Sequence, residues 1–195
     1  PDAHFVKELP AFNAYMEKVS QVMKAGKTYT SIAVYLPLED AWMLNELPPE
    51  KRKPSAEYHW EMQYVYPPQA LKGYGPLWIS NHFLRQACGR KGKMTVGETA
   101  FNGLFVEVDW LDYDALVEIS RLAREGVPVC IGKPFRQPGR NKSPEYDKLI
   151  AELMNLETVG TGLEVIFVTK PLVEGRNLPD FWCRIYRGDH FLFFA

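Results

Sequence analysis

The chain has 195 residues, a formal net charge of -1 and 46% apolar residues. That is one domain, or one plus an appendage, with enough apolar residues to bury a sizeable core. The balanced charge and the lack of a basic face argue against nucleic acid as a partner. No apolar run approaches the roughly 20 residues of a membrane span. The expectation is therefore neither a nucleic-acid nor a membrane partner. Pro1 opens the chain without an initiator Met, which reads as a processed protein or a piece of a longer one.

The first element in the chain reads as an amphipathic helix over 11–25. Phe12, Tyr15, Met16, Val19, Val22 and Met23 recur at steps of three and four, and Gly26 stops it. Ser31 to Leu36 reads as a strand, ended by Pro37. Glu39, Asp40 and Trp42 follow at once. A loop rich in Pro and charge is expected over 44–54, then helices over 56–66 and 78–88.

From there strand and helix alternate. "GLFVEV" (103–108) reads as a strand. A helix capped by Asp112 runs to Glu125, with Leu116, Ile119, Leu122 and Ala123 inward and Gly126 as its stop. "VPVCIG" (127–132) is the next strand, followed by a basic loop, Lys133 to Lys142. A helix opened by Ser143 and Pro144 reaches about Leu156, and "LEVIFVT" (163–169) reads as a further strand. This alternation implies a mainly parallel sheet covered on both faces. "FWCRIY" and "HFLFFA" around Arg187-Gly188-Asp189 read as a C-terminal antiparallel hairpin.

Ligands of open α/β sheets gather beyond the carboxyl ends of the strands. Three exits therefore matter: 37–42, 109–110 and 133–136. Glu39, Asp40, Trp42, Asp109 and Trp110 are the candidate site residues, expected on one edge of the sheet as a lip toward substrate or a neighbouring domain. A glycosidase needs two carboxylates about 5–10 Å apart across the scissile bond. Adjacent acids on an extended chain point opposite ways, so Glu39 and Asp40 do not readily form that pair alone, whereas one of them with Asp109 from the neighbouring exit could. A solvated acidic turn is the plainer alternative for Glu39 and Asp40; Glu107 reads as a strand residue tied to a neighbouring polar group.

No G-x-G-x-x-G or G-x-x-x-x-G-K-[ST] run is present, so neither a dinucleotide nor a phosphate-loop site is expected. The basic loop could meet an anion, but its glycines do not open a helix. Cys130 in "PVCIG" is half of a nucleophile elbow, with Pro128 where a glycine belongs. The three cysteines, Cys88, Cys130 and Cys183, read as buried thiols without metal spacing. No catalytic residue, metal or cofactor is expected.

The helix Phe12–Gly26 followed by the strand Ile32–Pro37 resembles the stretch after the catalytic barrel in large bacterial glycosidases similar to glycoside hydrolase family 106 α-L-rhamnosidases. "FNGLFVEVDWLDYDALVEISRLAREGVPVCIG" resembles the middle of the α/β domain that follows there, and "DFWCRIYRGDHFLFFA" the entry into a β-sandwich. The resemblance implies a flavodoxin-like three-layer fold, similar also to class I glutamine amidotransferases. It divides the chain into 1–27 (the end of the preceding catalytic region), 28–180 (the α/β domain) and 181–195 (the hairpin). It implies an accessory, non-catalytic domain. Its partners would be the barrel and β-sandwich of the parent chain, with carbohydrate as the ligand class. The barrel carries the family's catalytic carboxylates, so none transfers to this chain. A Cys130-dependent hydrolase or amidotransferase, and a pure scaffold or oligomerisation domain, remain as alternatives. The parent's location is open between periplasm, secretion and cytoplasm.

Overall fold

A computed structural model describes residues 3–43 and 67–194. The loop and helix expected over 44–66 lie outside the described residues. In chain order the elements are α1 (Ala3–Lys24), β1 (Lys27–Thr28), β2 (Ile32–Tyr35), α2 (Leu38–Met43), β3 (Leu77–Ile79), α3 (Asn81–Leu84), β4 (Cys88–Arg90), β5 (Lys93–Val96), β6 (Thr99–Phe101), β7 (Gly103–Val106), α4 (Tyr113–Arg124), β8 (Val129–Ile131), α5 (Tyr146–Met154), β9 (Val159–Gly160), β10 (Phe181–Tyr186) and β11 (Asp189–Phe194). Two 3-10 turns, Gln69–Tyr74 and Leu163–Val165, complete the set. None of the described helices is long and apolar enough to cross a membrane.

The chain divides into two compact units, Thr30–Arg176 and a smaller one of 1–29 with 177–195. The larger is a mixed α/β unit around a five-stranded parallel sheet of order β3-β2-β7-β8-β9. Its three inner strands, β2, β7 and β8, are short apolar runs buried on both sides, as parallel sheets require. Ala33, Tyr35, Leu104, Val106, Val129 and Ile131 face a core shared with Leu116, Ile119 and Leu122 of α4 and Leu153 of α5. Ile32, Val34, Phe105 and Cys130 face the other way, onto Leu71, Tyr74 and Ile166. Among the described residues that second face is covered by the two 3-10 turns and not by α-helices. A separate antiparallel sheet, β4-β5-β6, precedes β7.

Two expectations from the sequence are corrected. The run 163–169 is not a strand; β9 at Val159–Gly160 takes the edge position instead. Leu163–Val165 winds into a turn so that Ile166, 1% exposed, can plug the sheet. Gly103 makes room for it: a Cβ there would lie 2.6 Å from Ile166 Cγ2. Phe167 then stacks on Tyr74 with ring centroids 4.7 Å apart. Burial of Ile166 and Phe167 on the sheet face outweighs the local β preference of the run. The second correction concerns 78–88. Leu77–Ile79 is a strand beside β2, and only Asn81–Leu84 is helical. Helical periodicity and a short apolar strand look alike over so few residues.

In the smaller unit α1 starts earlier than the sequence suggests, at Ala3, and includes Pro10. β1, β10 and β11 form an antiparallel sheet, so the segments at the two ends of the chain share one unit. The β10–β11 hairpin turns at Arg187 and Gly188, both at positive φ (55° and 91°), as a tight two-residue hairpin loop demands. Arg184 closes the end of α1, donating to the carbonyls of Ala25 (2.9 Å) and Gly26 (2.6 Å) and to the Thr28 hydroxyl.

Candidate functional site

The carboxyl ends of β2 and β7 are neighbours at the centre of the sheet. The chain builds β3 on one side of β2 and β7, β8 and β9 on the other, so this is where the strand order reverses. Such a reversal is the usual ligand crevice of an open parallel sheet.

Here the crevice is bridged by the chain's own acids. The sequence leaves β2 through Pro37 and turns at once into α2, so Glu39 and Asp40 sit in a helical first turn and not on an extended chain. Asp40 reaches across to the loop after β7. Its carboxylate accepts the main-chain N–H of Asp109 at 3.0 Å through both oxygens and that of Trp110 at 2.7 Å. These charge-assisted bonds satisfy donors that β7 leaves free on ending.

Glu39 points inward and is 3% exposed. Its Oε1 accepts a 2.6 Å bond from the Tyr35 hydroxyl, while Oε2 is buried with no hydrogen-bond partner. Burial pushes the Glu39 carboxyl above the usual carboxylate range. The Tyr35 hydroxyl and the main-chain N–H of Asp112, at the head of α4, pull the other way and only partly offset it. Burial, with the Glu39 carboxylate beside it, also raises the Tyr35 phenol. Tyr146 lies near this group; its phenol is raised by burial, and its hydroxyl donates to the Leu111 carbonyl at 2.7 Å.

Asp109 is exposed and paired with Lys133 at 2.9 Å. Trp110 is half-buried. Its indole carries the Arg136 guanidinium 4.0 Å from the ring centroid and the Lys142 ammonium at 5.5 Å. Trp110 and Arg136 also form a parallel bridge, with Arg136 N–H donating to the Asp109 carbonyl and Leu111 N–H to the Arg136 carbonyl. Trp42 projects from α2 and is 66% exposed. The structure thus brings Asp40, Asp109 and Trp110 into direct contact and buries Glu39 at α4's head, while Trp42 stands in solvent.

Glu39 is buried and Asp40 is bonded to main-chain N–H groups, so neither sits in a solvated turn. Glu107, just past β7, and Asp109 are the acids of this edge that lie exposed. Sequence reading placed 133–136 at one of the three strand exits but named none of Lys133, Arg136 and Lys142 as a site residue. The signal was their loop's position after β8. The thiols are not all buried: Cys88 is exposed, Cys130 and Cys183 are buried and free. Burial raises the Cys130 thiol to about 11, and Glu164 and Glu107 add to the shift. A thiol in that range is not a nucleophile at neutral pH. Among the described residues no group of three or more His, Cys, Asp or Glu is placed to hold a metal ion.

No family model matches the chain, and no curated protein or solved structure matches it.

Proposed function

We propose that the chain is an accessory, non-catalytic α/β domain of a carbohydrate-active hydrolase resembling the α-L-rhamnosidases named above. It packs against a catalytic barrel and offers the β2–β7 edge toward the barrel's sugar cleft. The observation that carries the non-catalytic part is the use of the edge acids. Asp40 is bonded to two main-chain N–H groups, Glu39 to Tyr35, and Asp109 to Lys133. Among the described residues these three acids do not leave an oriented acid and base to flank a glycosidic bond. The strand order β3-β2-β7-β8-β9 is second-first-third-fourth-fifth within the sheet, which supports a flavodoxin-like domain. The carbohydrate part rests on the sequence resemblance.

The test has two arms. The purified chain, given aryl glycosides that include α-L-rhamnosides, turns over none above buffer. In the parent protein Trp42→Ala weakens association of this domain with the barrel by about 1–3 kcal/mol, the scale of an interface anchor. Turnover by the isolated chain that disappears with Glu39→Gln or Asp109→Asn overturns the reading.

A scaffold or oligomerisation role is the second reading. One observation favours it: among the described residues most of the large exposed apolar side chains belong to the smaller unit, which holds none of the three strand exits.

A further inference from the structure

We propose that the loop after β8 carries an oxyanion site for the carboxylate of an acidic sugar, formed by the Arg136 guanidinium and the Lys142 ammonium on the Trp110 indole. The choice of a sugar as the carrier of that carboxylate rests on the carbohydrate reading above. The site itself rests on geometry.

The loop is built, not loose. Arg136 is held by its main-chain bonds to Asp109 and Leu111. Gln137 closes the far end: its side-chain Oε1 accepts Ser143 N–H at 2.8 Å, and its carbonyl accepts from Lys142 Nζ. Both cations are therefore delivered to the same indole.

Their charge is uncompensated. Among the described residues no carboxylate pairs with Arg136, Arg140 or Lys142. Two acids of the neighbouring exits have other partners, Asp109 on Lys133 and Asp40 on main-chain N–H groups. The Arg136 side chain is exposed and lies over the Trp110 ring, and among the described residues no side-chain hydrogen bond or ion pair engages its fork of donors. Its edge is free for a bidentate acceptor, and that geometry suits a carboxylate. A phosphate would be better served by successive main-chain N–H groups at a glycine-rich turn into a helix. This loop offers none, since Gly139 does not open α5. The position, beyond the carboxyl ends of β7 and β8, is where a parallel sheet presents ligands.

The experiment is electrophoresis of the full chain through native gels containing polygalacturonate, with fully methyl-esterified pectin and dextran sulfate as comparison gels. The wild type is expected to be retarded by polygalacturonate and not by the esterified polymer. Arg136→Gln with Lys142→Gln weakens the apparent affinity by about tenfold or more, the loss expected for a charge-assisted bond. Arg136→Lys, which keeps the charge and loses the fork, falls between. Both side chains are exposed, so thermal melts of the variants should match the wild type. Absence of retardation in polygalacturonate overturns the site. So does retardation that the double variant keeps, or that dextran sulfate and esterified pectin produce equally. None of these outcomes bears on the accessory-domain reading, which stands or falls on turnover and domain association.

Discussion

The two units use apolar residues in opposite ways. In Thr30–Arg176 the apolar periodicity and the burial agree: Leu116, Ile119 and Leu122 of α4 are fully buried, as are Ile32 and Leu104 in the sheet. In the smaller unit they disagree. Phe12, Tyr15, Met16 and Val22 lie along α1 at helical spacing, and each is more than 40% exposed. All six residues of β11 are exposed, among them Phe191, Leu192, Phe193 and Phe194. A helix and a three-stranded sheet have too few layers to cover both faces of a "FLFF" run. A patterned apolar stripe predicts an element, but its burial depends on a partner layer that one unit supplies and the other lacks. Exposed apolar surface of this kind is what the scaffold reading proposed above would use.

The largest expected effect sharpens that contrast. Leu104→Ala, at the centre of the parallel sheet, costs about 2–5 kcal/mol in chemical denaturation. A loss near zero would mean that the core of the larger unit is not closed. Next is Asp40→Ala, which strands two main-chain donors and costs about 1.5–3 kcal/mol, with part recovered in Asp40→Asn. The Trp110 environment should change with it, readable as tryptophan emission in a Trp42→Phe background. If Asp40→Ala is neutral, the β2 exit is a solvated turn after all.

Glu39 gives a pH signature. Its folded carboxyl is raised above its unfolded value of 4.5. The native state therefore binds the proton more tightly. This contribution to stability is full below the unfolded value and is lost as pH rises toward the folded one. Wild type minus Glu39→Gln, compared from pH 4 upward, should fall with rising pH; a rising difference would show that the helix head and Tyr35 win over burial. Thiol labelling is a smaller readout. Cys88 reacts with a disulfide reagent in the native protein, and Cys130 and Cys183 react only after unfolding. Smallest of all, Phe193→Ser changes stability by no more than about 0.5 kcal/mol while lowering binding of a hydrophobic dye. A large loss would mean that β11 is covered.

Much of the fold was legible because it is local. Asp112 at the N-cap position, though its side chain makes no capping hydrogen bond, the stop at Gly126 and the i, i+3, i+4 apolar steps define α4 within a residue or so. The Arg187-Gly188 turn defines the hairpin by backbone sterics alone. The antiparallel sheet β4-β5-β6 was not anticipated from the sequence; Lys91, Gly92 and Gly97, beside its strands, adopt positive φ. What the sequence could not assign is what depends on distant partners. Ile166 becomes a plug and not a strand residue because Gly103 lacks a side chain across the sheet. Glu39 and Asp40 differ in fate because one helical turn aims the first at Tyr35 and the α4 head and the second at the loop after β7. Adjacent acids have the same chemistry in the sequence. Only the packed neighbours decide which is desolvated and which is a clamp, because the cost of a buried charge is set by what surrounds it.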